Sequence, residues 1–150
     1  MQLSGQKTFN TGNAVIWNLL MNPDSLSRII PGVTNLVKTA ENIYKSVVEI
    51  KIGPVSGFFE GTVELSEIAE NSSFQLNARQ NSKIGNANAI VNFRLFSGNN
   101  SETNLSFEGD VKLTGLLASM GQRVLSGVSN TLIKQFFSNM DVEIQKQSAA

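Results

Sequence analysis

The chain has 150 residues, with 12 basic and 12 acidic side chains, no histidine and no cysteine. The missing cysteine excludes disulfides, thiolate nucleophiles and iron–sulfur sites, and the missing histidine excludes the Ser-His-Asp triad and histidine metal sites. No block of one charge sign occurs, which argues against nucleic-acid binding and against a polybasic membrane patch. No run of about 18 apolar residues and no signal-peptide pattern is present, so we expect a cytoplasmic protein without a membrane span.

The first thirty residues predict a strand followed by two short helices. Residues 2–9 read as the strand, and residues 13–21 place apolar side chains at helical spacing. Pro23 starts a second helix, which Pro31-Gly32 ends. Trp17 lies in the first helix; its indole suits a quinone ring or a membrane interface, but its apolar neighbours favour packing in the core.

From Val33 to about Leu113 the apolar residues recur at every second position, as in strands with one buried face. Turn residues separate the segments, as in Gly53-Pro54 and Gly98-Asn99. The segments that alternate best are 43–52, 58–68, 73–82, 86–96 and 102–113. Together with the first strand, they predict an antiparallel sheet of about seven strands.

The last third of the chain, residues 115–145, predicts one long helix. Its expected apolar stripe is Leu117, Met120, Val124, Val128, Leu132, Phe136, Met140 and Ile144. Such a helix must cover a large apolar surface, and the sheet is the candidate. The sequence therefore predicts a single α+β domain over residues 1–150, with a curved antiparallel sheet wrapped around the long helix.

Small residues in this helix leave two interpretations open. Gly115, Ala118, Gly121 and Gly127 fall in or at the start of the helix, where a glycine costs about 1 kcal/mol relative to alanine. Either a ligand occupies the volume beneath the helix, or the helix packs closely on the sheet. An exposed apolar patch at Phe136, Phe137 and Met140 would serve as a dimer seam or a membrane-facing tip.

Two short stretches are candidates for a role at such a pocket. The loop of residues 53–57 is either a hinged gate, a docking loop or an ordinary hairpin turn, and the turn is favoured. It consists of Gly53, Pro54, Val55, Ser56 and Gly57. Arg123 and Gln122 could donate hydrogen bonds to a ligand or face solvent, and Gln80 with Ser82 could supply a second polar contact.

Several motifs in the same order resemble the carbon monoxide dehydrogenase CoxG family, a branch of the START-like (SRPBCC) helix-grip superfamily. They are Leu3-Ser4-Gly5, WNLLMNP at 17–23, Ile30-Pro31-Gly32, KIGPVSGFFEG at 51–61, Leu117-Ala118 and MGQR at 120–123. The central GPVSG followed by F-x-G is the most specific, and the resemblance covers about residues 1–145.

This resemblance implies a helix-grip fold and a non-catalytic accessory protein. Family members accompany molybdenum hydroxylases of the carbon monoxide dehydrogenase type, and are implied to bring the enzyme to the membrane or to handle quinone for it. It implies no intrinsic cofactor but a bound quinone or lipid, and peripheral contact with the inner face of the membrane. Some members carry a C-terminal extension that acts as an anchor; the polar end of this sequence, residues 146–150, leads us to expect none of that kind.

With the resemblance, the pocket interpretation is favoured over a solid core. The predicted apolar lining is Val48, Ile50, Phe59, Val63, Leu76, Val91, Phe93, Phe107, Leu117, Met120, Gly121 and Val124. We expect this helix and the 53–57 loop to open, admit a prenyl or acyl chain, and close.

Two alternatives remain. One is a protein-docking module with a solid core, which the lack of a cavity of at least about 300 Å³ would favour. The other is a cyclase- or hydrolase-like enzyme of the same superfamily, which needs a buried polar cluster and for which Arg123 and Tyr44 are the residues to mutate.

Overall fold

The computed structural model describes residues 1–149, so the last residue of the predicted domain, Ala150, lies outside the described part. The elements in chain order are β1 (Gln2–Phe9), α1 (Asn13–Met21), α2 (Pro23–Ile29), β2 (Val33–Ala40), β3 (Ile43–Ile52), β4 (Val55–Ala69), β5 (Ser73–Ser82), β6 (Gly85–Ser97), a 3₁₀ turn (Asn99–Ser101), β7 (Thr103–Leu113), α3 (Gly115–Ala118) and α4 (Gln122–Ala149).

The strands form one antiparallel sheet in the order β1-β7-β6-β5-β4-β3-β2. This confirms the predicted seven-stranded sheet with two short helices after the first strand and a long helix at the end. Gly61 on β4 lets neighbouring strands approach closely, because a Cβ there would overlap the Arg79 carbonyl group on β5. The sheet curves around the helices that cover its apolar face.

Helices α1 and α2 close one end of the core. Asn22 caps α2, because its side-chain oxygen accepts a hydrogen bond of 2.9 Å from the Asp24 backbone N–H, and Pro23 takes the first helical position. Trp17 is buried and meets the ring of Phe74 edge-on, with centroids 5.8 Å apart. The core-packing interpretation of Trp17 is therefore confirmed.

The C-terminal helix is not continuous from residue 115, which corrects the prediction. Helix α3 ends at Ala118, and α4 begins at Gln122. The Ser119 hydroxyl bonds the Leu116 carbonyl at 2.6 Å, and Gly121 has no neighbour within 4 Å of a would-be Cβ. Serine competes with the helix for its own backbone groups and glycine is costly in helix interiors, so this segment favours a break.

The buried stripe of α4 also differs from the predicted one. Met140 is fully buried and Phe137 is buried, so the predicted exposed patch at Phe136, Phe137 and Met140 is wrong. Val124, predicted to face inward, is 38% exposed. No helix within residues 1–149 has the length and apolar character needed to cross a membrane.

Aromatic rings fill the half of the sheet beneath the C-terminal part of α4. The rings of Phe74 and Phe93 stack with centroids 4.8 Å apart, and Phe107 lies 5.5 Å from Phe93. Phe136 and Phe137 enter this cluster from the helix, each within 6.1 Å of Phe107. This part of the domain is a solid core.

An ion pair joins α2 to α4 at the edge of this core. Arg28 Nε donates to Glu143 Oε1 at 2.9 Å, and Lys146 Nζ donates to Glu143 Oε2 at 3.1 Å. Glu143 is buried, whereas the Arg28 side chain is about half exposed. The hydrogen bond from Arg28 holds the pKa of Glu143 below its ordinary value, against the opposing effect of burial.

We expect Met140→Ala to lower the free energy of unfolding by about 2–5 kcal/mol, because it removes a fully buried side chain and leaves a cavity. Val142→Ala is the matched control on the same helix; Val142 is 48% exposed, and its loss should cost about 0.5 kcal/mol or less. Urea unfolding measures both. Equal costs would contradict the described orientation of α4.

We expect Glu143→Gln to lower the free energy of unfolding by about 1–3 kcal/mol at neutral pH, because the charge-assisted bonds are lost. A lowered folded-state pKa gives stability that is present above the unfolded value near 4.5 and is lost as pH falls through the folded value. The gap between the two proteins should therefore narrow below about pH 4.5, where denaturant curves at several pH values are compared. A gap independent of pH would contradict the ion-pair assignment; Glu60→Gln, at an exposed position, is the control.

Candidate functional site

A pocket of about 280 Å³ lies between the sheet and the N-terminal half of α4. Strands β1, β3, β4, β5, β6 and β7 contribute its floor and walls, and α3 and α4 its cover. The lining residues are Met1, Leu3, Val48, Ile50, Val55, Phe59, Gln80, Ala87, Val111, Leu113, Leu117, Leu125, Val128, Ser129, Leu132 and Ile133. The pocket is not sealed from solvent.

The pocket exists because α4 is anchored by its other half. No α4 residue before Phe137 is buried; Leu125, Val128 and Leu132 are only half-buried, although they face the sheet. Ala87 on the floor is too small to fill the gap beneath them.

Helix α3 closes one side of the pocket with Leu117, which is buried. The Leu117 backbone N–H donates to the Ile84 carbonyl at 2.9 Å, which ties α3 to the turn between β5 and β6. Gly85 in that turn has φ +131°, and a Cβ there would overlap the Thr114 carbonyl. Glycine at this position therefore allows α3 to sit against the sheet.

The pocket offers almost no polar group to a ligand. Gln80 lines it, but its Nε2 donates to Ser46 Oγ at 3.0 Å and to the Thr62 carbonyl at 3.2 Å. Ser46 is buried in the wall and donates back to Gln80 Oε1 at 3.3 Å. Gln80 therefore uses its amide within the protein. Such a lining binds apolar matter by burial, at about 25 cal/mol per Å².

The structure brings together part of the predicted lining. Val48, Ile50, Phe59 and Leu117 line the pocket. Leu76, Val91, Phe93 and Phe107 instead pack in or against the aromatic core, because Phe136 and Phe137 fill the space above them.

The remaining predicted lining residues lie outside the pocket. Val63 is buried elsewhere in the sheet, and Met120 packs beside the pocket cluster without lining it. Gly121 and Val124 are exposed, because the break before α4 turns them away from the sheet.

The 53–57 segment contains a tight hairpin turn. Ile52 pairs with Val55, so Gly53 and Pro54 alone connect β3 to β4, and Gly53 has φ +55°. Val55 is buried and lines the pocket, whereas Ser56 is exposed. Movement of the segment as a gate stays a prediction.

Gln122 and Arg123 are exposed at the start of α4 and do not line the pocket. Gln122 Nε2 donates to Ser126 Oγ at 3.4 Å, on the same helix. Ser82 is also turned away, because its hydroxyl donates to the Gly85 carbonyl at 2.6 Å in its own turn. The predicted polar contacts from these residues to a pocket ligand are therefore not supported.

Sequence reasoning misses several residues that line the pocket. The alternation marks Leu3 and Ala87 as inward positions without assigning them to the pocket, and the predicted helical stripe omits Leu125 and Ile133. A helical phase counted from Gln122, where α4 begins, would place both of these on the inner face.

The site carries no acid–base or metal chemistry among the described residues. In residues 1–149 no group of His, Cys, Asp or Glu could hold a metal ion. The buried polar residues of that range are Ser25, Ser46, Thr103 and Glu143, of which Glu143 belongs to the α2–α4 ion pair. Tyr44 is buried outside the pocket lining, and burial raises the pKa of its phenol. The polar cluster that an enzyme would need is not found among them.

The pocket volume lies just below the lower end of typical ligand sites, about 300 Å³. It is nevertheless nearly twice the volume of a cavity of about 150 Å³ that holds benzene. Volume alone therefore does not decide between a ligand site and a docking module; the apolar lining and the half-buried helix above it favour the ligand site.

Solved structures with the same fold are numerous. A conserved protein from Geobacillus kaustophilus is 29% identical, with a TM-score of 0.93 over 97% of this chain and 96% of that one. A START superfamily protein from Mycobacterium smegmatis is 12% identical, with a TM-score of 0.75 over 97% and 98%. The Zhui aromatase/cyclase from Streptomyces sp. R1128 is 9% identical, with a TM-score of 0.72 over 97% and 94%. The last two show the fold alone.

No curated protein sequence matches the chain. The family model for CoxG of carbon monoxide dehydrogenase, however, matches residues 5–145, nearly the whole of the sheet and helices described above. The chain therefore belongs to the carbon monoxide dehydrogenase CoxG family and has the START-like fold.

Proposed function

We propose that this protein is a non-catalytic carrier that holds the apolar tail of a lipophilic molecule, such as a quinone or lipid, beneath α4. The observation that supports this most directly is the chemistry of the pocket. Its walls are apolar, and the Gln80 amide is bonded to Ser46 and Thr62 instead of facing a ligand. A site of this kind selects for an alkyl or prenyl chain and not for a head group.

The size of the pocket specifies how much ligand is held in this state. About 280 Å³ accommodates a ring or a short length of tail, and a longer chain requires the cover to move. The segment at 119–121 between α3 and α4 is the natural pivot, because Gly121 contacts nothing and α3 carries a single buried side chain, Leu117. We infer that α3, more than the 53–57 turn, opens for entry.

Family membership supports an accessory role beside a molybdenum hydroxylase of the carbon monoxide dehydrogenase type. We propose that the carried molecule is exchanged with that enzyme or with the membrane that supplies it. Any electrons would travel on the ligand, since the side chains of this chain include no cysteine or histidine to hold a metal or cluster. Genes for molybdenum-hydroxylase subunits beside the gene for this chain would support that partner.

A solid-core docking module is the alternative that the experiment below must separate. A cyclase-like enzyme is less well supported, because the likeness to an aromatase/cyclase is one of fold at 9% identity. The lining residues also place no free acid or base at the pocket.

We expect organic extraction of the protein, purified from its native host, to release a quinone or lipid close to one equivalent, identified by mass spectrometry. Ala87→Phe should reduce the bound amount and weaken re-binding at least tenfold, because the ring occupies the pocket floor. The matched control is Asn88→Phe, the next residue of β6, which is exposed on the opposite face of the sheet and should retain the ligand.

Val128→Phe fills the same pocket from the helix side and guards against misfolding of the strand variant. Melting temperatures are measured for all three proteins. An empty wild-type protein that binds no member of a panel of quinones and fatty acids would overturn the carrier function and favour the docking module. Equal ligand retention in Ala87→Phe and Asn88→Phe would reject this pocket as the site.

A further inference from the structure

The fold sorts the charges of this chain between the two ends of the sheet. Because the strands run antiparallel in chain order from β2 to β7, successive turns fall at alternate ends. One end, here called the pocket end, carries the β3–β4 turn, the β5–β6 turn, and the chain from the end of β7 to the start of α4. The opposite end carries the β2–β3, β4–β5 and β6–β7 turns.

The pocket end is basic. Residues 51–58, 81–86 and 112–124 contain Lys51, Lys83, Lys112 and Arg123 and no acidic residue, a formal charge of +4. All four side chains are exposed.

The carboxylates that flank the pocket end in the strand register are those of Glu49 and Glu60. Glu49 Oε2 lies 3.4 Å from Lys51 Nζ, and the Lys51 side chain remains 73% exposed.

The opposite end is acidic to the same degree. Residues 39–43, 66–73 and 97–103 contain Glu41, Glu67, Glu70 and Glu102 and no basic residue, a formal charge of −4. The chain as a whole is neutral, so the molecule is polarised along the strands.

Exposed apolar side chains stand among the basic ones at the pocket end. Leu116 on α3 is 59% exposed and Phe58 on β4 is 56% exposed, and Phe58 shares a surface groove with Lys83. Ile68 and Phe96 are also exposed towards the acidic end, where the carboxylates would repel an anionic surface. Charge, and not apolar exposure, therefore distinguishes the two ends.

We propose that the pocket end rests on an anionic lipid bilayer, with the lysines and Arg123 on the head groups and Leu116 and Phe58 dipping between them. This deepens the proposed function and rests on it, because Leu117 and Val55, which close the pocket, belong to the same segments as these surface residues. A tail could pass from the bilayer into the pocket without crossing water. The four charges are spread over three turns around apolar side chains, which suits a fluid, diffuse anionic surface.

The test is flotation with vesicles of phosphatidylcholine, with and without phosphatidylglycerol. Wild-type protein should float only with the anionic vesicles, and added salt should release it. Each basic residue near such a surface contributes roughly fivefold in affinity. The triple variant Lys51→Gln, Lys83→Gln, Arg123→Gln should therefore bind about a hundredfold more weakly.

The matched control, Lys38→Gln, Arg94→Gln, Lys134→Gln, removes the same charge from exposed positions outside the pocket end and should float like wild type. Melting temperatures confirm that both triples fold, and mass spectrometry of extracts reports the ligand in each. Equal weakening in both triples, or flotation that ignores phosphatidylglycerol, would overturn the proposed surface.

A wild-type protein that holds its ligand yet never floats would leave the carrier function standing and reject the bilayer surface. Binding to soluble polyglutamate through the same three residues, without flotation, would assign the basic end to an acidic protein partner and likewise overturn the proposal. Flotation by a protein that carries no ligand would support the surface and count against the carrier function alone.

Discussion

The structure depends on how α4 is anchored. Phe137 and Met140 are buried in the aromatic core, and Glu143 bonds Arg28 on α2, all in the C-terminal half of the helix. A helix of 28 residues behaves as a stiff rod, so this anchoring also fixes the height of its N-terminal half above the sheet. There the side chains from Leu125 to Leu132 do not reach the floor at Ala87, and the pocket is the space that remains. Core and binding site are thus two consequences of one packing arrangement.

The sheet is predictable because period-two alternation reports directly which face of a strand is buried. Tyr44, Phe59 and Leu105 are inward positions that the alternation indicates and the structure buries. The alternation says nothing of what lies above that face. It therefore cannot distinguish a pocket from a core at Phe93 and Phe107, which the rings of Phe136 and Phe137 cover.

The helix is harder to predict, for a geometric reason. The predicted stripe advances mostly in steps of four residues, and each such step rotates about 40° beyond a full turn. Val124 and Met140, sixteen residues apart, consequently face directions about 160° apart on one helix. Met140 is buried and Val124 is exposed, as that rotation requires. The break at Ser119–Gly121 removes the remaining basis for a single stripe, since α3 and α4 have separate phases.

The sorting of charge could not be read from the sequence for a topological reason. No stretch of like charge exists, because each turn contributes only one or two charged residues. Antiparallel strands bring every second turn to the same end, and that operation collects the lysines of β3–β4 and β5–β6 with Arg123. An argument from linear charge blocks is sound for tails and helices but misses an antiparallel meander.

Entry to the pocket and the basic end are linked by the weakest wall. Helix α3 is held to the sheet by the Leu117 side chain and by the bonds from Thr114 N–H to the Asn86 carbonyl at 3.0 Å and from Leu117 N–H to the Ile84 carbonyl. Helix α4, by contrast, cannot lift without breaking the aromatic core and the Arg28–Glu143 pair. The lower free-energy path to an open pocket is therefore displacement of α3 about residues 119–121, which leaves the core intact. Because α3 carries the exposed Leu116 beside Arg123 and Lys83, a surface that attracts these residues also pulls on the element that must move.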